Sequence, residues 1–202
     1  AIGRASLYTN TTGDGNVAVG VQALLYSTTA SSNTAVGHNA LLNNTTGTQN
    51  VAVGANTLDA NTTGYYNTAV GPYSLGSNTT GYSNTAIGWK ALEDNTTGAG
   101  NVAIGDEAML NTTTSANVAI GDGAAKTNTT GSQFVAIGSG ALTDNTTGNY
   151  SVALGHSALK SNTTGSGNIG IGQYASHDNT TGSNNVAVGH YSLENSTESN
   201  NT

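Results

Sequence analysis

The seventeen residues NTTGYYNTAVGPYSLGS, Asn61 to Ser77, are followed at once by NTTGYSNTAIGWKALED, Asn78 to Asp94. The same phrase runs through all 202 residues in twelve copies, with single-residue deletions expected only before Asn111 and before Asn195. A unit this short cannot enclose a core of its own. Each copy must therefore be one turn of a solenoid, stacked on its neighbours. The expectation is an all-β parallel β-solenoid, a β-roll with one 17-residue repeat per turn and about twelve turns, forming a single repeat domain over residues 1–202.

Within Asn44 to Ala60, Val51-Ala52-Val53 lies between a polar turn and a glycine and reads as a short strand, with the two valines on one face and the alanine on the other. The slot of Ala52 holds Ala from Ala1 and Ala18 to Ala187, with Gly170 the exception. That restriction implies another surface close by, either a second segment of the same turn or a second chain. The glycine after the strand is constant from Gly3 to Gly189 and marks the main corner. A second apolar file follows as Ala23-Leu24, Ala40-Leu41 and Ala91-Leu92, changing to Met109, Ala125 and Ser176 in later copies. Asn-Thr-Thr-Gly makes the other turn, with Asn and Gly expected to take left-handed backbone. Two further asparagine files, at Asn44 and at Asn50 with their equivalents, are placed to bond amide to amide up the stack; Phe134 and Ser151 interrupt the second.

The recurring N-[VT]-A-[VI]-G-x-x-[AS]-L phrase, as in Asn16 to Gly20, Asn101 to Gly105 and Asn117 to Gly121, resembles the head repeat of trimeric autotransporter adhesins. It is also similar to repeats of phage tail fibres and other long surface proteins. The resemblance covers every copy and implies a left-handed parallel β-roll, a homotrimer and adhesion to a host matrix protein; the exposed aromatics named below add a surface glycan to the expected partners. The 17-residue unit is longer than the usual head repeat of that family. A core of two valines and a leucine per turn is thin, so a lateral partner, most simply a homotrimer joined along the alanine file, is expected to complete it. Ala1-Ile2-Gly3 and Asn201-Thr202, placed tail to head, regenerate Asn-Thr-Ala-Ile-Gly, which predicts a longer filament or head-to-tail stacking.

Composition narrows the function. A net charge of -7 with four Lys and Arg leaves no basic stripe for a phosphate backbone, so nucleic acid is not an expected partner. No apolar run reaches membrane-spanning length, and no membrane contact is expected within this segment. Cysteine is absent, which fits an exported bacterial or viral surface protein and a cytosolic one alike; the expected extracellular or cell-surface location follows from the fibre reading. Hexapeptide acyltransferases share an Ile-Gly phrase like Ile104-Gly105, but they need three apolar files at six-residue spacing, and here the third face is Thr-Thr-Gly. His38, His156 and His190 occupy the variable slot after the corner glycine without a fixed carboxylate or nucleophile. Asp106 and Asp122 share one slot in successive copies, a pair better read as a solvated acidic edge than as a calcium site. The chain is therefore expected to be non-enzymatic, with no catalytic, cofactor or metal site.

Two residue classes remain as candidate sites. Asn-Thr-Thr is an N-glycosylation acceptor sequence at Asn10, Asn44, Asn61, Asn78, Asn95, Asn111, Asn128, Asn145, Asn162 and Asn179. Tyr65, Tyr66, Tyr73, Tyr82, Trp89, Tyr150, Tyr174 and Tyr191 fall in variable slots and are candidate surface-contact aromatics, with Tyr65 and Tyr82 in register to stack. The leading expectation is a structural extracellular fibre or surface adhesin segment that presents variable slots on a rigid rod. The alternatives are a phage or viral tail-fibre shaft, a glycosylated extracellular filament, and an ice-binding solenoid using the paired Thr files at Thr45 and Thr46.

Overall fold

The computed structural model describes residues 1–202, and their contacts divide into two compact units, Ala1–Asn101 and Val102–Thr202. The first holds β1 (Val17–Val19), β2 (Thr34–Val36), β3 (Val51–Val53), β4 (Thr68–Val70) and β5 (Thr85–Ile87). They pair parallel in chain order and in strict register, Ala18 opposite Ala35, Ala35 opposite Ala52, Ala52 opposite Ala69 and Ala69 opposite Ala86. The second holds β6 (Val102–Ile104), β7 (Val118–Ile120), β8 (Val135–Ile137), β9 (Val152–Leu154), β10 (Ile169–Ile171) and β11 (Val186–Val188), paired in the same way. The fold is an all-β parallel β-solenoid without helices. Eleven of the phrases form strands; the first contributes only a bridge from Ile2 to Val19, so the number of complete turns falls short of twelve.

Each strand is three residues long because β-branched Val, Ile or Thr, with Leu154 the one exception, flanks the alanine, replaced by Gly170 in β10, and the constant glycine ends it. Gly20 has φ +138°, and a Cβ built on it would fall 2.3 Å from the carbonyl oxygen of Gly37 one turn on. Both the sign of φ and the closeness of the next turn exclude a side chain.

The arc after the corner alternates in hand. Gln22 (φ 61°) and Leu24 (φ 54°) are left-handed, and their N–H groups leave the turn, to the Arg4 carbonyl at 2.9 Å and the Ala40 carbonyl at 3.0 Å. The N–H groups of Leu25 and Ser27 close local turns instead, to Gln22 at 3.3 Å and Leu24 at 3.2 Å. Left-handed backbone is most costly for β-branched residues. The leucine slot accordingly runs through Leu, Met109, Ala125 and Ser176 but never Val, Ile or Thr.

Three expectations are corrected here. The core is built from alanine and leucine rather than valine: Ala52 and Leu58 are fully buried, whereas Val51 and Val53 are each 36% exposed and face outward. The alanine file meets the leucine file of its own chain, as Gly170 shows, where an added Cβ would lie 3.0 Å from Leu159 Cγ. That file is enclosed, so no second chain can be joined along it. The Asn-Thr-Thr-Gly turn is also not left-handed at Asn or Gly; the left-handed residue lies just before the strand asparagine, at Ser32, Gln49, Tyr66 and Ser83 in the first unit. Gly47 is required for space instead, since a Cβ there would sit 2.3 Å from both Asn44 Oδ1 and the Gly64 carbonyl oxygen.

The short turns lose their residue at a defined place. Counting from Gly105, Thr112 and not Asn111 occupies the buried asparagine slot, where Asn128 Nδ2 donates to Thr112 Oγ1 at 3.3 Å. The missing residue therefore lies between Thr112 and Asn117, and not before Asn111 as the alignment of the Asn-Thr-Thr phrases suggested. Ser196 takes the same slot in the last turn and accepts from Asn201 Nδ2 at 3.1 Å.

Candidate functional site

Asparagine side chains form two ladders inside the turns. In the first unit Asn61 Nδ2 donates to Asn44 Oδ1 at 2.8 Å, Asn78 to Asn61 at 2.8 Å and Asn95 to Asn78 at 2.9 Å. Each amide also donates to the glycine carbonyl three residues ahead, as Asn61 does to Gly64 at 3.1 Å. The second ladder is doubled: Asn33 Oδ1 accepts the Asn50 backbone N–H at 2.9 Å and its Nδ2 at 3.2 Å, and the pattern repeats at Asn67 and Asn84. Buried amides satisfied in this way hold each turn over the next, where an unpaired one would be costly. In the second unit Asn145 donates to Asn128 at 2.7 Å and Asn162 to Asn145 at 3.0 Å. Phe134 and Ser151, both buried, break the second ladder as the sequence indicated.

This geometry corrects the glycosylation expectation. Asn44, Asn61, Asn78, Asn95, Asn128, Asn145, Asn162 and Asn179 are fully buried, so Nδ2, the atom a glycan would join, is out of reach in the folded chain. Asn10 is half-buried and donates to the Gly13 carbonyl at 2.9 Å, and Asn111 stands one place outside the ladder. Of the threonines beside them, Thr45 Oγ1 donates to the Thr62 carbonyl at 3.0 Å, whereas Thr46 and its equivalents lie on the surface.

The aromatic slots do reach the surface. Tyr65 and Tyr82 stack with centroids 5.0 Å apart and planes 5° from parallel, and Tyr66 meets Tyr65 edge-on at 5.2 Å. Lys90 Nζ lies 5.2 Å from the Trp89 ring and 6.0 Å from that of Tyr73, and is 3.0 Å from Glu93. In the second unit Tyr174 and Tyr191 stack at 5.1 Å, with His156 edge-on to Tyr174 and His190 beside Tyr191. Tyr150 stands apart from these groups, 65% exposed. Phe134 is the aromatic that enters the core.

Sequence reasoning missed three members of this surface. Tyr8 and Tyr26 are exposed, and His177 touches Tyr174 edge-on while its Nδ1 lies 2.6 Å from Asp178 Oδ1. His177 occupies a slot that elsewhere holds Tyr8, Leu25, Asp59 or Lys160, so no recurrence pointed to it. Lys126 pairs with Glu107 in the same unit. Asp106 and Asp122 are exposed, and no group of three or more His or carboxylate side chains converges to hold a metal. Burial pushes the Asp59 carboxyl above its usual range, with Glu93 adding to the rise and the N–H groups of Asp59 and Ala60 opposing it.

Comparison with protein-family models, with curated proteins and with solved structures gives no match.

Proposed function

We propose that this chain is a structural segment of an extracellular fibre or surface adhesin, a solenoid that associates laterally with copies of itself and carries variable side chains outward. The observation behind it is the outer face of residues 102–202. There the first outward rank reads Val102, Val118, Val135, Val152, Ile169, Val186 and the second reads Ile104, Ile120, Ile137, Leu154, Ile171, Val188. No polar residue interrupts either rank, and Ile137 and Ile171 in the second are 39% and 38% exposed. Two unbroken aliphatic ranks on a regular sheet form the kind of contiguous apolar patch that marks an interface. A second copy offers the same spacing of ridges, so a symmetric homo-oligomer, including the trimer implied by the resemblance to autotransporter heads, fits it. The contact runs through the valine face and leaves the alanine file inside.

Analytical ultracentrifugation of the chain and of a Val135→Lys/Val152→Lys variant tests this reading. Concentration-dependent association of the parent, lost in the variant with its circular dichroism unchanged, is the expected result. A parent that stays monomeric at every concentration overturns lateral association. Immunogold labelling of intact producing cells tests the location, and label that appears only after lysis overturns the surface assignment.

A further inference from the structure

We propose that Tyr65 and Tyr82 form an oxidative crosslinking site, where hydrogen peroxide used by a haem peroxidase joins the two rings as dityrosine and staples one turn to the next. The inference goes beyond the fibre reading and stands without it, because it rests on ring geometry inside one chain.

The two tyrosines are seventeen positions apart and fill one slot in successive turns. Their register is clamped on both sides. Before the slot Asn78 Nδ2 donates to Asn61 Oδ1 at 2.8 Å; after it Asn84 Nδ2 donates to Asn67 Oδ1 at 3.1 Å, and Ser83 N donates to the Tyr65 carbonyl at 3.0 Å. The rings follow the backbone, with centroids 5.0 Å apart and planes 5° from parallel. Both reach the surface, 39% exposed at Tyr65 and 44% at Tyr82. An oxidant therefore has access to either phenol, and a radical formed on one finds the other already beside it. A neighbour held in place by the fold makes coupling an intramolecular step with a high effective concentration. The coupling also needs one ring to leave the stack, and Tyr82 has the room. Gly100 N donates to the Tyr82 carbonyl at 3.1 Å, so Ala99 and Gly100 form the next rung, and a Cβ built on Gly100 would meet nothing within 4 Å. Rotation about Cα–Cβ tilts the Tyr82 ring towards this space until an ortho carbon of each phenol meets the other.

The step balances as follows. Each phenol gives up one electron and its hydroxyl proton and becomes a phenoxyl radical. The two unpaired electrons form a bond between ortho carbons; the hydrogen on each of those carbons then leaves as a proton, and each oxygen takes one up. Hydrogen peroxide accepts the two electrons and the two protons lost overall, and becomes two waters. The chain offers the oxidant few competing targets, since it has no cysteine and its one methionine, Met109, is fully buried. Exposure alone would favour Tyr8 at 76% and Tyr150 at 65%, but no ring lies beside either of them. Tyr174 and Tyr191 also stack, at 5.1 Å and 11°. There Tyr174 is half-buried, with His156 and His177 each 5.3 Å from its ring, and it lacks the freedom of Tyr82.

The full chain, diluted until ultracentrifugation shows a monomer, is treated with hydrogen peroxide and a haem peroxidase. The monomer band of a denaturing gel is then cut with chymotrypsin, which cleaves after Tyr73 between the two sites, and mapped by mass spectrometry. The expected product is one peptide bearing Tyr65 joined to one bearing Tyr82, lighter than their sum by two hydrogens. Tyr82→Phe keeps the ring and the stack but has no hydroxyl hydrogen to lose, so it should abolish this product, whereas Tyr66→Phe should leave it. The linked chain should unfold at a higher urea concentration than the Tyr82→Phe chain treated in the same way, because the link closes the loop from Tyr65 to Tyr82 in the unfolded state. The proposal is overturned if the joined peptide is absent, if Tyr8 or Tyr150 enters links within the monomer as readily, or if the linked chain unfolds where the treated Tyr82→Phe chain does. None of these outcomes bears on lateral association, so failure here leaves the fibre reading standing.

Discussion

Asn61 and Gly64 depend on each other. The Asn61 amide donates to the Gly64 carbonyl at 3.1 Å, and a Cβ on Gly64 would lie 2.3 Å from Asn61 Oδ1. All nine turns with asparagine in this slot have glycine three residues later, from Asn10 and Gly13 to Asn179 and Gly182. The turn of Ser27 has Ala30 in place of glycine, and neither Thr112 nor Ser196 is followed by glycine before the turn ends.

Gly64→Ala alone should lower the urea midpoint and cost about 1–3 kcal/mol, the usual range for overpacking. Adding Asn61→Ser should recover part of that loss, because the shorter side chain withdraws the oxygen that the new methyl would strike. A double-mutant cycle measures the coupling; strictly additive losses would show that the two positions are independent.

The Ser27 turn suggests the reverse experiment. Asn10 Oδ1 and Ser27 Oγ are buried without partners, since serine is too short to continue the ladder. Ser27→Asn with Ala30→Gly should stabilise the chain by about 1 kcal/mol through the restored hydrogen bonds. Ser27→Asn by itself should fail to do so, because Ala30 keeps its methyl in the way. Thermal melts of the two variants decide it.

Ala52→Leu and Ala69→Leu should each be far more damaging than changes at Ala55 or Pro72. The first two side chains are fully buried against the leucine file, whereas Ala55 is half-buried and Pro72 exposed. Equal melting temperatures for the two pairs would contradict the enclosed core.

Asp59 gives a pH dependence of known sign. Its carboxyl is raised above 3.8 in the folded chain, so the folded state holds its proton more tightly than the unfolded state. Stability from this group is therefore present at acid pH and declines as pH climbs from about 3.8 through the raised value. Asp59→Asn should be more stable than the parent at neutral pH and lose that advantage below pH ~4. Because the side chain is partly exposed the effect is modest, and a series of melts across pH would reveal it.

Much of this was legible in recurrence. A slot confined to Ala and Gly from Ala18 to Ala187 announced close packing, and the Asn44 and Asn50 files announced their ladders. What recurrence did not say is which surface the alanines meet. A three-residue strand has two faces, and the larger Val51 and Val53 look like core by hydrophobicity alone. Width decides otherwise: the space facing Leu159 has no room for more than a methyl group at position 170. Asparagine burial also outranked the acceptor motif, since Asn-Thr-Thr specifies a glycan only where Nδ2 can be reached. The left-handed residues carry a signal of their own. The slots of Gln22, Leu24 and Ser32 never hold Val, Ile or Thr in any turn, as backbone with positive φ requires.

The one-residue contraction between Thr112 and Asn117 shows where this chain tolerates a change of length. On either side of it, Ala103 still faces Ala119 and Asn117 still begins a strand turn in register, so neither the corner nor the leucine arc registers the loss. The segment between the ladder asparagine and the strand behaves as an expansion joint. It is also the segment that displays Tyr65, Tyr66 and Tyr82. A foreign peptide spliced between Thr96 and Asn101 would thus be carried at the surface of an undisturbed turn, and grafts at successive turns would be spaced by the pitch of the solenoid itself, roughly 5 Å.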